Sequence, residues 1–333
     1  MTVAKSTILR RIKPMKENKL LRGLCVLTAA LMLGLTGCAN GSDTNGSDAQ
    51  SQTATAEVQS AWTELDQTTI TKEMGMGWNL GNQLEASNAG IPSETTWGNP
   101  TISEDLIKAV KEQGFKTIRI PVSYLDKIGA APDYTIDSAW LDRVQEVVDY
   151  VVGNDLYAII NIHGDGYYTV DKSWLRCVDD NQDEIKDKYE KVWAQIADRF
   201  KDYDQHLIFE SMNEESDNTY GKPNATGYEN INAYNQIFVD TVRKTGSNNE
   251  KRWLLIPGWN TNIEYTAGNY GFVIPTDSGC KADGNRLMIS VHYYDPYNFT
   301  IDENMATAKT QWGKYAVEDY DNWGQEDLSL IHI

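Results

Sequence analysis

The sequence is short of cysteine, of basic charge and of long apolar runs. Four cysteines occur in 333 residues, at positions 25, 38, 177 and 280, with none of the close spacings that hold a metal ion. That excludes a cysteine-built metal site. Lys and Arg number 30 against 48 Asp and Glu, a formal net charge of −18. So acidic a chain is not built to bind nucleic acid. The apolar run Leu24 to Leu35 is about a dozen residues, too short to span a bilayer. A Gly-rich phosphate turn opening a helix is also missing. "GMGWNLGN" has glycines, but Trp78 and Asn79 occupy the turn and no helix starts there.

What is present begins with an export signal. Arg10, Arg11, Lys13, Lys16, Lys19 and Arg22 precede the apolar run, and Leu35-Thr36-Gly37-Cys38 follows it. A basic segment before an apolar one is the pattern of a secretory signal. The last four residues resemble the bacterial lipobox, which makes Cys38 the expected lipidation site and new N-terminus; an ordinary cleaved signal is the competing reading. Met15 to Cys38 is by itself a complete signal. Residues 1–38 are thus expected to be a lipoprotein signal peptide and residues 39–60, small and polar, a flexible linker. The expected location is an exported, cell-surface or periplasm-facing lipoprotein, touching the membrane through the anchor alone. Cys177 and Cys280 then remain, as one disulfide or as two free thiols.

From Ala61 onward short apolar runs alternate with amphipathic segments. "GWNLGN", "TIRIPV", "LYAIINIH", "HLIFESMNE", "RWLLIPGWN" and "RLMISVHYY" read as strands. Thr101-Ile102-Ser103-Glu104 fits a capping box before a helix reaching Gln113. Apolar positions at Leu141, Val144, Val148 and Val151 mark another helix, and further ones are expected after His163 and over residues 231–244. Strands apolar on both faces with helices between them imply a parallel sheet covered by helices. The expected fold is α/β, a (β/α)8 TIM barrel with about six of its units present, across residues 61–327. An open doubly wound sheet is the alternative.

Strand ends fall near Asn79, Val122, His163, Asn213, Trp259 and His292, and a barrel builds its site at that face. Glu214 follows Asn213 there. A carboxyl group with a raised pKa can protonate a leaving oxygen, and an adjacent Asn can bind a sugar 2-hydroxyl. Glu215 is expected to point to solvent; the alternative is an inward position, where its like charge would raise the Glu214 pKa. Arg119 lies in a buried strand and needs a carboxylate partner. His163 and His292 each close a strand, and Tyr294 lies two residues beyond His292 on the same side. Aromatic loop residues can stack on sugar rings, and Trp259, with Asn260 beside it, is the strongest candidate.

"GWNLGNQLEAS", "IRIPVSY", "IINIHGDGYY", "FESMNEE", "LLIPGWNTNIE" and "VHYYDPYNF" occur in this order. Together they resemble the cellulases of glycoside hydrolase family five, over about Gly75 to Asn298. The resemblance implies a retaining endo-β-1,4-glucanase acting on cellulose or related β-glucans. Glu214 would be the general acid/base, with Asn213, Arg119, His163, His292 and Tyr294 supporting it. No metal or organic cofactor is implied, and a monomer is expected. Two positions depart from the family pattern: Glu215 stands where Pro is frequent, and Gly164-Asp165-Gly166 follows His163 in place of a second His.

Retention requires a second carboxylate about 5–5.5 Å from the first. Glu303, Glu318 and Glu326 lie in polar sequence, and none follows an apolar strand. Residues 328–333, "LSLIHI", match the in-frame translation of a common sequencing adapter and are expected to be a non-native tail. The nucleophile is thus expected beyond Asp327, and this chain is expected to be inactive. A non-catalytic glycan-binding surface lipoprotein is the rival from another class. Xyloglucan, xylan and mannan are rival substrates.

Overall fold

The computed structural model describes residues 61–219, 221–304 and 306–309. The signal peptide with Cys38, the linker, Glu318, Glu326 and the tail at 328–333 lie outside the described residues. In chain order the elements are α1 (Gln67–Met74), β1 (Gly77–Asn79), β2 (Ser87–Asn88), β3 (Ile91–Pro92), α2 (Glu104–Glu112), β4 (Thr117–Ile120), α3 (Ser138–Val152), β5 (Tyr157–Ile160), α4 (Gln182–Phe200), β6 (Leu207–Glu210), α5 (Ala225–Lys244), β7 (Leu254–Asn262), α6 (Ile263–Ala267), β8 (Leu287–His292) and α7 (Tyr297–Thr300). A 3-10 turn at Ser247–Glu250 precedes β7.

Six strands form one parallel sheet in the order β1-β4-β5-β6-β7-β8, and β2 and β3 make a separate two-stranded ribbon. Every strand of the large sheet pairs with its successor in the chain. That is the winding of a barrel, and it excludes the reversal of strand order that defines a doubly wound sheet. The fold is a partial (β/α)8 barrel.

Alternation along the strands separates two cores. Ile118, Ile120, Ala158, Ile160, Leu207, Phe209, Leu254 and Ile256 face outward onto the helices, within one continuous buried cluster. Tyr157, Ile159 and Ile208 face inward with Trp253. Ile70 of α1 packs into this inner cluster, Tyr157 donates to Glu73 at 2.7 Å and Thr117 Oγ1 donates to the Met74 carbonyl. α1 therefore plugs the interior at the N-terminal ends of the strands, and the opposite end stays open for a site.

The helix expected after Thr101 begins later. Ser103 is the N-cap, its hydroxyl accepting from Leu106 N at 3.3 Å, and Glu104 pairs with Lys108 instead of reaching back to a cap. Asp137 caps α3 and Asn224 caps α5 in the same manner. Cys177 is buried, Cys280 is partly exposed, and both are free thiols.

Candidate active site

A polar layer crosses the barrel interior where the apolar plug ends. Arg119 and Glu210 point inward from β4 and β6, and Nε donates to Glu210 Oε2 at 2.7 Å. The partner that Arg119 required is thus Glu210. Asn161 Nδ2 also donates to Oε2, at 2.8 Å, and Ser290 donates to Oε1 at 2.6 Å. A carboxylate this well satisfied is held in position.

The rest of the guanidinium aims upward. Its two terminal nitrogens donate to Asn79 Oδ1 at 3.0 Å and Asn213 Oδ1 at 2.7 Å. Asn213 Nδ2 then donates to the Tyr167 hydroxyl at 2.6 Å, and that hydroxyl donates to Glu214 Oε2 at 3.1 Å. Every orientation in the chain Glu210–Arg119–Asn213–Tyr167–Glu214 is fixed by the bond before it. Asn213 lines the cleft, and its amide nitrogen, which has a second hydrogen to donate, can meet a hydroxyl group there.

On the other side, His292 Nδ1 lies 2.5 Å from Glu214 Oε1, and the Tyr294 hydroxyl lies 3.5 Å from the same oxygen. Glu214 takes a left-handed backbone, φ 48°. So do Asn260 and Thr261, in a bulge where the β7–β8 register shifts between Pro257 and Asn262. Two bonds pin these strained segments together: Glu214 N donates to Thr261 Oγ1 at 3.0 Å, and Asn260 N donates to the Glu215 carbonyl at 2.8 Å. Backbone strain of this kind persists where the surroundings over-determine it.

Burial raises the pKa of Glu214, but the hydrogen bond and charge of His292, with help from Tyr167 and Arg119, outweigh it and hold the carboxyl below its ordinary range. That corrects the raised value expected of the acid. His163 is half-buried and pushed well below an ordinary imidazole, first by desolvation and then by Arg119 and His292, so it is neutral here.

These groups line one cleft of about 730 Å³, with Trp78, Asn79, Gly81, Asn82, Glu85, Arg119, His163, Asn213, Glu214, His292, Tyr293 and Tyr294 at its walls. A smaller pocket of about 230 Å³ adjoins it through Asn82, Glu85 and His163, with Trp97, Leu125, Gly164, Tyr167 and Val170 completing it. Gly164, at φ 81°, is where the sequence replaces the family's second His. Trp97 is 54% exposed, and its indole nitrogen donates to the Ser87 carbonyl, which orients the ring.

Asn79, Arg119, His163, Asn213, Glu214, His292 and Tyr294 therefore converge as the sequence suggested. Trp259 does not. It is wholly buried against Tyr228 and Gly227, because the bulge turns it beneath the α5 start, and it offers no ring to a sugar. Asn260 does not line the cleft either. Glu215 is 1% exposed, not solvated. Glu303 is exposed and away from the cleft wall. Sequence reasoning missed Glu210, Asn161 and Ser290, although an acid inside "LIFE" is as anomalous as Arg119 inside "TIRI". It also missed Glu85, whose burial raises its pKa while the backbone N–H groups of Asn82 and Gln83 hold both oxygens.

A carboxylate held by His and Tyr at the open end of a barrel, beside an Asn oriented by Arg, defines the class: a barrel of the glycoside hydrolase kind. Residues 81–328 match the model of cellulase, glycosyl hydrolase family 5. The chain belongs to that family. It is 59% identical over 264 residues to endoglucanase A of Paenibacillus barcinonensis, covering 78% of this chain and 66% of that relative. A family 5 xyloglucanase structure from Paenibacillus pabuli is 59% identical with a TM-score of 0.74, over 78% of this chain and 73% of the other. A broad-specificity endoglucanase structure from Ruminococcus champanellensis with bound cellotriose is 37% identical with a TM-score of 0.67, over 77% and 73%. The chain spans less than two thirds of the length of the curated relatives it matches, and only 28% of one of them.

Proposed function

We propose that the cleft binds a β-1,4-glucan chain and that Glu214 is the acid/base of a retaining endoglucanase. The single observation that carries this is the position of Glu214: one oxygen shared with His292 and Tyr294, the other with Tyr167, at the edge of an open polar cleft. The His292 pair favours the ionised form, which is the general base of the second half-reaction. The acid form of the first half-reaction needs a neighbouring negative charge, and a retaining nucleophile about 5–5.5 Å away supplies it.

Among the described residues, Glu214 and Glu85 are the carboxylates lining the cleft. Glu85 is occupied by backbone amides and Glu210 by Arg119. The nucleophile is therefore proposed to lie outside the described residues. Where no second carboxylate reaches Glu214, the site binds glycan without cleaving it. Calorimetry with cellotriose, paired with turnover of cellotetraose, tests this. The reading requires cellotriose binding that survives Glu214→Gln, and any turnover must vanish in that variant. Turnover that persists in Glu214→Gln would remove the assignment.

A branched substrate such as xyloglucan is favoured by one feature. The side pocket beside Trp97 has about the volume of one sugar unit and opens off the main cleft. The relatives include an endoglucanase named as xyloglucan-specific, from Bacteroides ovatus. Export and lipidation at Cys38 are proposed on the sequence pattern of residues 1–38 alone.

A further inference from the structure

Glu215 is a carboxylic acid sealed inside the protein one residue from Glu214. Both its oxygens are buried and lack a hydrogen-bond partner, and no Lys or Arg among the described residues pairs with it. The groups around it offer no proton. Tyr189 of α4 spends its hydroxyl on the Ser211 carbonyl, Tyr234 of α5 on Gln182, and Tyr167 of the β5–α4 loop on Glu214. Cys177 of the same loop is a buried neutral thiol, pushed up first by burial.

A second wholly buried acid, Asp165, acts on it. Its oxygens accept from Ser123 Oγ at 2.8 Å, Trp174 Nε1 at 2.8 Å and Tyr124 N at 3.1 Å, and the Lys188 ammonium of α4 lies close enough to attract it. Two carboxyl groups so placed cannot both be ionised. Burial pushes the Asp165 carboxyl up to about 7 against those donors; the charge goes first to Asp165, which has the donors, and the proton stays on Glu215, which has none.

The packing around Glu215 is tight. A methyl group at Gly166 would stand 1.6 Å from Glu215 Oε2 and 2.6 Å from the Leu175 carbonyl oxygen. So the acid fills the gap that Gly166 leaves. The loop it touches, residues 164–177, also carries Tyr167, which orients both Asn213 and Glu214.

We propose that Glu215 is a positioning residue: as a neutral acid it locks the Glu214 segment onto the Gly164–Cys177 loop, and its ionisation releases the two. The proposal rests on Glu214 being the acid/base. Burial and the charges of Asp165 and Glu214 all push the Glu215 carboxyl well above its ordinary 4.5. A group that binds its proton more tightly when packed stabilises the packed state fully below its freed value. That stabilisation declines by about tenfold per pH unit above it and is gone once the packed group ionises.

The experiment uses the full chain and Glu215→Gln, an isosteric neutral replacement. Infrared difference spectra report the protonated carboxyl, hydrogen exchange reports protection of residues 164–177 and 211–217, and calorimetry reports cellotriose binding. The wild type should show a neutral carboxylic acid band at neutral pH that the variant lacks. Its protection factors should fall by about tenfold per pH unit above about 4.5, and those of Glu215→Gln should stay level. Equal pH dependence in the two proteins, or identical spectra, overturns the proposal. Should Glu215→Gln not fold, Asp165→Asn must move the band and the loss of protection to a changed pH; an unchanged titration again overturns it. If cellotriose binds neither protein while spectra and protection behave as stated, the glucanase reading falls and the role of Glu215 in ordering this segment stands.

Discussion

His292 Nδ1 and Glu214 Oε1 stand 2.5 Å apart, across the gap between the end of β8 and the loop after β6. Half-buried as they are, the imidazole and the carboxyl group act on one another more than on solvent, and His292 holds the Glu214 carboxyl below its ordinary range against its own desolvation. His292→Ala should therefore raise the Glu214 pKa above its ordinary range. A depressed carboxyl stabilises the fold above its unfolded pKa and loses that contribution as pH falls through the folded value. The wild type should carry this acid-side loss and the variant should lack it, a difference of about 1 kcal/mol in unfolding free energy between mildly acidic and neutral pH, read by urea denaturation.

Arg119 and Glu210 form the buried ion pair beneath the cleft. Removing the cation leaves a carboxylate that is 2% exposed without its partner. Arg119→Ala should cost about 3–5 kcal/mol of stability. Arg119→Met with Glu210→Gln should recover a good part of that loss, because the uncompensated charge is gone. Equal denaturation midpoints for the single and double variants would contradict it.

Tyr167→Phe removes one oxygen and two hydrogen bonds, from Asn213 and to Glu214. Stability should fall by no more than about 3 kcal/mol, two hydrogen bonds at about 0.5–1.5 kcal/mol each. Cellotriose affinity should fall by about tenfold, since the Asn213 amide and the Glu214 carboxylate lose their common reference. Calorimetry well below the melting temperature of both proteins checks the separation.

Trp78 and Trp259 should part company. Trp259→Ala empties a fully buried site and should cost about 3–5 kcal/mol. Trp78 lines the cleft and is only partly buried; Trp78→Ala should weaken cellotriose binding by about tenfold or more while costing far less stability. Thermal unfolding and calorimetry on the same two proteins distinguish core from platform.

The barrel and most of the site could be read from the residues because they obey simple rules. Apolar runs such as "YAII" and "LIFE" mark strands covered on both faces, and Arg119 within one of them demanded an acid. What could not be read follows from backbone irregularity. Glu214 at positive φ breaks the alternation that would have told inside from outside, and so Glu215 turns into the core. The bulge in β7 does the same for Trp259. α1, "QTTITKEM", carries one buried side chain, Ile70, too little periodicity to announce the plug of the barrel.

Arg119 reaches strand β1 through Asn79, and β6 and its loop through Glu210 and Asn213; Glu210 in turn ties in β5 through Asn161 and β8 through Ser290. Five of the six strands thus answer to one guanidinium. A slip of a single residue in β4 would put Ile118 or Ile120 in its place and turn Arg119 out toward the helices. The layer is a lock on alignment. Only one registration of the sheet can close it, and only in that registration does Glu214 meet its three partners.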